Sequence, residues 1–155
     1  MKVYDIKVAR DKIQAYCVYR ERCHFEVNRK LTSWGLIPEM IDLLMNELIK
    51  FNFLNEERYA RSFTRGKFRI KKWGRNKIRI ELKKRQIFEK CIDLAMQEID
   101  EKAYSDTLNE IIQKRNIKEK ELNLYKRKLK LIRYLLTRGF EYDLIIREID
   151  ASDLF

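Results

Sequence analysis

Only one proline, Pro38, and four glycines interrupt the 155 residues of this chain. That scarcity constrains the fold more than any other feature. Turn-rich β architectures use both residue types often. A helix interior avoids them, at a cost of about 1 kcal/mol for glycine and about 3 kcal/mol for proline. Apolar residues recur at helical spacing along nearly the whole chain, and the hydrophobic fraction of 45% supplies a core. The chain reads as all-α.

The spacing predicts a first helix from Ile6 to Arg20, with Ile13, Ala15, Tyr16 and Tyr19 available to pack. A second runs from His24 to Trp34 and stops at Gly35, which accepts the left-handed conformation of a C′ residue. Pro38 sits where the first turn of a third helix tolerates it. That helix carries Ile41, Leu44, Met45 and Leu48 at i, i+3, i+4, i+7. Asn55 is a natural N-cap for a fourth, with Glu56 and Glu57 in its first turn, where the helix dipole favours acids. Leu54 and Tyr59 occupy the staple positions of the same start. This helix is expected to reach Lys72 and break at Trp73–Gly74. Further helices are expected near 75–86, 89–100, 105–117, 119–137 and 141–152, with Gly139 ending the penultimate one.

The chain also repeats itself. Leu31, Ile41, Asp42, Leu43, Met45 and Glu47 recur 51 residues later as Leu82, Ile92, Asp93, Leu94, Met96 and Glu98. A weaker third copy begins at Leu135 and includes Gly139 and Phe140. Generic amphipathic helices can align by chance, but a period near 50 residues fits stacked three-helix units, each burying its open face on the next. The expected organisation is an elongated, curved array of tandem three-helix repeats. It comprises an N-terminal helix (1–23), repeats at 24–73 and 74–118, and a shortened C-terminal repeat at 119–155.

Charge is concentrated. The whole chain carries +11, yet residues 58–85 hold thirteen Lys/Arg against Glu81 alone, a net of +12, so the rest sums to 11 − 12 = −1. The thirteen are Arg58, Arg61, Arg65, Lys67, Arg69, Lys71, Lys72, Arg75, Lys77, Arg79, Lys83, Lys84 and Arg85. Tyr59, Phe63, Gly66, Ile70 and Trp73 form one stripe expected to face the core. Arg58, Arg61, Arg65, Arg69 and Lys72 form a second, about 100° around the helix, expected to face outward. Arg75, Arg79 and Lys83 continue it after the break. Like charges at i, i+4 destabilise a helix by about 0.2–0.5 kcal/mol per pair, a local cost that a bound polyanion reverses. Nucleic-acid phosphates, single- or double-stranded, are the first candidate, and an acidic protein groove is the second. A merely solvated basic face is the bland alternative, though such faces usually mix both signs. Tyr59, Phe63, Trp73 and Gly74 read as packing at a repeat junction, with base stacking as the other reading of Trp73. Lys114 to Arg133 holds nine cations against Glu119 and Glu121 and looks like a solvated helix face.

Catalytic chemistry finds no constellation. Cys17, Cys23 and Cys91 are odd in number without paired spacing, and His24 lies near two of them without metal-ligand spacing. Gly66 and Gly74 lack the surroundings of a phosphate loop. The acids at 93–110 show no ligand spacing. No metal, cofactor or enzymatic activity is expected. No stretch approaches the ~20 apolar residues of a membrane span, and Met1–Asp5 has no signal-peptide core. A reduced, cytoplasmic, monomeric protein is the expectation.

A set of local motifs resembles the RecX family of recombination regulators. It includes Tyr16-Cys17, Glu21-Arg22, Glu26-Val27, Lys30-Leu31 and Trp34-Gly35-Leu36. Phe53 through Ala60, Lys67-Phe68-Arg69, Trp73 through Leu82, and Arg133 through Phe140 follow in order. No single motif decides, but their order and spacing are specific. The resemblance implies tandem three-helix units that lie in the groove of the RecA recombinase–DNA filament. There they would restrain its ATPase, strand exchange and coprotease activity, and so regulate DNA repair, recombination and the SOS response. Two departures stand out. Arg85-Gln86-Ile87 replaces the usual Lys-Gly-Ile, so that turn lacks a left-handed glycine. Cys23 replaces a common Ser and weakens an N-cap. The alternative to a filament regulator is a sequence-nonspecific DNA-binding module acting without a recombinase, and a weaker third reading is a structural adaptor.

Overall fold

The structure, a computed structural model, describes residues 4–155; residues 1–3 of the expected 1–23 segment, and that part of the Met1–Asp5 reading, lie outside them. The described residues form nine helices and no strand. In chain order these are α1 (Ile6–Tyr19), α2 (His24–Ser33), α3 (Pro38–Lys50), α4 (Glu56–Arg69), α5 (Arg75–Lys84), α6 (Glu89–Met96), α7 (Glu101–Lys118), α8 (Leu124–Thr137) and α9 (Tyr142–Ser152). The all-α reading holds.

The chain divides into two compact units. The first contains the chain up to Phe63 together with Leu82–Ala95, and the second contains Thr64–Glu81 and Met96–Phe155. Both α4 and α5 therefore contribute to both units. In the first, α1, α2 and α3 pack pairwise around Ala9, Ile13, Cys17, Val27, Leu31, Leu44, Leu48 and Leu54. Each large side chain among these contributes roughly 1.5–3 kcal/mol by leaving water. Arg10 on α1 clamps Glu47 on α3 with two hydrogen bonds of 2.8 and 3.0 Å. In the second unit α7, α8 and α9 pack pairwise, and Tyr104, Leu108, Ile112, Leu135, Phe140, Ile145 and Ile149 are fully buried.

Helix α1 corrects one expectation. Its buried row is Ala9, Ile13 and Cys17 at i, i+4, i+8. Ala15 is exposed, Tyr16 is half-buried, and Tyr19 is 84% exposed. Burial pushes the Cys17 thiol up to about 11.

Six helices end in a left-handed residue, the last being α9 at Asp153 with φ 56°. Gly35 follows α2 and Gly139 follows α8, as expected, but Asn52, Lys72 and Gln86 do the same after α3, α4 and α5 with φ of 64°, 55° and 60°. In three of these turns the next N–H reaches back five residues: Phe53 to Leu48, Ile87 to Leu82, and Phe140 to Leu135. This satisfies a carbonyl that the helix end would otherwise orphan. The turn after α5 is thus left-handed despite its lack of glycine. Helix α4 stops at Arg69, short of the expected Lys72, because Lys72 itself adopts the left-handed conformation and the Trp73 N–H turns back to the Lys67 carbonyl.

Other boundaries shift for local reasons. Helix α7 starts four residues before its expected position because Asp100 accepts the Ala103 N–H at 2.9 Å. The expected helix start at 119 moves to Leu124. The Glu119 carboxylate accepts the N–H groups of Lys120 and Glu121, which turns the chain, and Asn123 caps α8 through the Lys126 N–H. At α2, Cys23 offers no side-chain acceptor. Glu56, at the start of α4, accepts a different orphan donor of this helix start, the His24 N–H, at 2.8 Å.

Candidate polyanion-binding surface

The site begins with how α4 is turned. Its buried residues are Tyr59, Ala60, Thr64 and Phe68, an i+4 row running from residue 60. The expected core stripe was Tyr59, Phe63, Gly66, Ile70 and Trp73. Of these only Tyr59 is buried; Phe63, Gly66 and Trp73 are half-buried, and Ile70 is 78% exposed. The helix is rotated relative to the expectation, and this rotation changes the surroundings of its cations.

Several cations are consumed by the fold. In the first unit, the Arg58 Nε donates to both Glu21 carboxylate oxygens at 2.8 and 2.6 Å, and its Nη2 donates to the Asn52 and Phe53 carbonyls. Arg61 pairs with Glu57 one turn back at 3.1 Å. Lys83 approaches Glu89 at 3.6 Å, and the Arg85 guanidinium lies over the Phe63 ring at 4.8 Å. Lys84 is exposed. Phe63 meets Tyr59 at 5.9 Å, and the Tyr59 hydroxyl donates to Glu26 at 3.1 Å.

In the second unit, Arg65 pairs with Glu98 at 2.8 Å and Lys72 approaches Glu110 at 3.8 Å. Arg75 is the most deeply committed. It bridges Glu101 at 2.7 Å and Glu141 at 2.9 Å, and its guanidinium lies 3.9 Å from the Tyr104 ring centre. Burial works against its charge, but the hydrogen bonds to Glu141 and Glu101 outweigh that and raise its pKa. The Tyr104 hydroxyl accepts the Arg75 N–H at 3.0 Å and donates to Glu141. Burial, then that bond to Glu141, pushes the Tyr104 phenol upward. The sequence reading missed this network because Tyr104 and Glu141 lie far from the cationic stretch.

The expectation of a continuous outward row is therefore corrected. Arg58, Arg61, Arg65 and Arg75 are half-buried and ion-paired, Lys72 lies beyond the end of α4, and Arg79 is half-buried. Charges drawn from the rest of the chain satisfy much of the stretch. What remains open in the second unit is more compact. Arg69 and Lys71 are exposed. Trp73 meets two lysines, Lys67 at 4.8 Å and Lys77 at 4.5 Å from its ring. Such cation–π contacts contribute about 0.5–1 kcal/mol each at exposed sites. They also hold two ammonium groups against one half-buried indole. The neighbouring Gly74 is buried for a different reason: its N–H donates to the Arg138 carbonyl at 2.8 Å, and Asn76 donates to Gly139 at 2.9 Å. Arg138 in turn donates to the Lys71 and Lys72 carbonyls, which fixes the turn that carries Lys71.

The second basic region is mostly structural. Arg127 donates to the carbonyls of Asn116, Glu119 and Glu121, Lys130 approaches Glu119 and Glu121, and Arg115 lies over Tyr134 at 3.9 Å. Among the described residues no group of three or more His, Cys, Asp or Glu side chains is placed to hold a metal, and no helix is long and apolar enough to cross a membrane.

The chain matches two family descriptions: "RecX, second three-helix domain" over residues 55–96 and "RecX, third three-helix domain" over 103–148. These group α4–α6 and α7–α9. It is 32% identical over 120 residues to the regulatory protein RecX of Clostridium perfringens (strain 13 / Type A), covering 76% of this chain and 56% of that protein. It is 32% identical over 135 residues to that of Pseudomonas tolaasii, covering 87% and 85%. The chain spans 56% to 62% of the length of the first clostridial relatives it matches. Among solved structures, RecX from Lactobacillus salivarius superposes with a TM-score of 0.86 at 25% identity, covering 97% of each chain. A second RecX structure, with a TM-score of 0.82 and 21% identity, shares the fold. With relatives of this likeness over most of its length and the same arrangement of helices, the chain belongs to the RecX family.

Proposed function

We propose that this chain regulates a RecA-type recombinase. It would act as a cytoplasmic monomer that lies in the groove of the recombinase–DNA filament. There it restrains ATPase, strand exchange and coprotease activity, and with them DNA repair, recombination and the SOS response. The relatives' name, regulatory protein RecX, supports the regulatory role. The observation that carries the binding surface is the exposure of Arg69 and Lys71, which meet no carboxylate among the described residues. Lys67 and Lys77 against Trp73 belong with them, and Lys83 and Lys84 extend the same stretch of sequence. Phosphates and acidic recombinase side chains are the complementary groups. Arg58, Arg65 and Arg75 hold the fold instead. The division into repeats at 24–73, 74–118 and 119–155 belongs to the same proposal; it cuts the helix series one helix out of phase with the family's own grouping.

The test is the double variant Arg69→Glu, Lys71→Glu. It should lose inhibition of a RecA-type ATPase on single-stranded DNA while keeping its far-UV circular dichroism. Wild-type inhibition by this variant would remove these residues from the mechanism. Salt separates the two main readings. A filament regulator binds the recombinase–DNA filament much more tightly than naked DNA at physiological salt. Equal affinity for both, with a log–log salt slope of about 0.9 per phosphate neutralised, would favour a DNA-binding module acting alone.

A further inference from the structure

One flank of α1 borders an aromatic rim: Tyr4, Tyr16 and Trp34 pack partly against the core, while Tyr19 beside them is exposed. Lys12, Ala15, Tyr16 and Tyr19 fall at i, i+3, i+4, i+7, on a face roughly 110° around the helix from the buried row. Together with Trp34 and Lys30 they line an open groove of about 500 Å³ in the first unit. Its lining holds four aromatic rings, counting Tyr4, and no carboxylate.

The rings are held in place. The Arg22 guanidinium lies 3.6 Å from the Tyr16 ring centre and 6.0 Å from that of Tyr19. Its own position is fixed because its Nε donates to the Tyr16 carbonyl at 3.0 Å. Tyr4 meets Trp34 edge to face at 5.4 Å. The ammonium groups stand near the rings, Lys30 at 5.4 Å from Tyr16 and Lys12 at 5.2 Å from Tyr4, and both lysines are exposed. The carboxylate in the adjoining groove is Glu26; its Oε1 accepts the Tyr59 hydroxyl, and its Oε2 is buried without a hydrogen-bond partner.

Flat rings alternating with cations are what an unpaired nucleotide strand recognises. Every base offers a π-face to stack, and every linkage offers a phosphate. A duplex keeps its bases stacked internally and cannot use the rings. An acidic peptide would use the lysines but not four aromatic faces. We infer that this groove binds single-stranded nucleic acid, with bases stacking on Tyr19, Tyr16 and Trp34 and phosphates held by Lys12 and Lys30. Arg22 is a positioning residue that orients Tyr16. The inference does not rest on the filament reading, since it uses different residues and a different variant tests it.

The experiment uses the full chain and a labelled oligo(dT). Fluorescence anisotropy at low salt should show Tyr19→Ala weakening binding by about five-fold or more, the loss expected of one stacked base, with Tyr19→Phe close to wild type. Tyr19 is so exposed that its loss leaves the fold intact, which an unchanged melting temperature verifies. Ultraviolet crosslinking to the same oligo(dT), read by mass spectrometry, should place adducts on Tyr16, Tyr19 or Trp34. Wild-type affinity of Tyr19→Ala, or crosslinks confined to residues outside this groove, would overturn the assignment. So would equal competition by poly-glutamate, which would make an acidic peptide the occupant.

Discussion

Gly74 and Gly139 touch backbone to backbone. A Cβ built on Gly74 would stand 2.3 Å from the carbonyl carbon and oxygen of Gly139, and Gly139 itself has φ +98°. No side chain can move aside there, since the obstacle is main chain. Gly74→Ala should therefore destabilise the protein by about 3 kcal/mol, the upper range for overpacking. Gly66, inside α4, has nothing within 4 Å of the same construction, so Gly66→Ala should stabilise by about 0.5–1 kcal/mol. Chemical denaturation of the two variants reads both signs in one experiment.

Gln86 pays a conformational penalty that glycine would not. A non-glycine residue in the left-handed region is disfavoured by roughly 1–2 kcal/mol, and Gln86 is exposed with φ 60°. Its side chain has little to lose. Gln86→Gly should raise stability by about 0.5–1 kcal/mol once glycine's greater freedom when unfolded is deducted. A melting temperature that falls would show that Gln86 makes a compensating contact.

The start of α2 depends on a carboxylate from another helix. Glu56 takes the His24 N–H, the first orphan donor of the helix, while Cys23 leaves uncapped the Phe25 or Glu26 N–H that a Ser at position 23 would accept. Glu56→Ala should cost about 1 kcal/mol, as for the loss of an N-cap. Adding Cys23→Ser to that variant should recover part of it. If the second substitution only adds damage, because Cys23 is fully buried, then the cap is not what Glu56 contributes.

Tyr104 sets a pH dependence at the alkaline end. Its folded pKa is raised, by burial first and by its bond to Glu141 second. A raised value means the folded state keeps its proton after the unfolded chain, with its ordinary pKa near 10, has lost it. The stabilisation is thus fully present below pH 10 and declines as pH climbs above it. Tyr104→Phe should be less stable than wild type at pH 8, and the gap should narrow steadily above pH 10. A gap independent of pH would assign the whole effect to the neutral hydrogen bonds.

How far the sequence reached depended on which signals are chemically unique. Gly35, Pro38, Asn55 and Gly139 each serve the role their residue type predicts. Lys72 and Gln86 adopt the same left-handed turn without the glycine or asparagine that announces it, so the residue pattern places the end of α4 three residues late. The recurrence of Leu31, Leu82 and Leu135 marks a real structural feature. Each is buried four residues before a left-handed residue, and a buried Leu36, Ile87 or Phe140 follows directly. Within the candidate site the concentration of charge was legible but its satisfaction was not. Glu21, Glu98, Glu101 and Glu141 lie 33 to 66 residues from the arginines they hold, except that Arg75 and Glu101 are 26 apart. Periodicity along one helix carries no information about such partners. The same limit hid the groove beside α1, because Tyr16 and Tyr19 both read as core from spacing, while Tyr16 packs only partly on the core and Tyr19 not at all.

The first unit closes only when Leu82–Ala95 joins the chain up to Phe63. During vectorial synthesis the ring of Phe63 must wait for Arg85 to cover it. At about 5–20 residues per second, the thirty-odd residues between Phe63 and Ala95 take roughly two to six seconds to polymerise. Throughout that interval the nascent N-terminal helices expose an unfinished apolar surface. Proteolytic clipping between Thr64 and Glu81 in the finished protein would likewise release no autonomous fragment, because neither piece carries a whole unit.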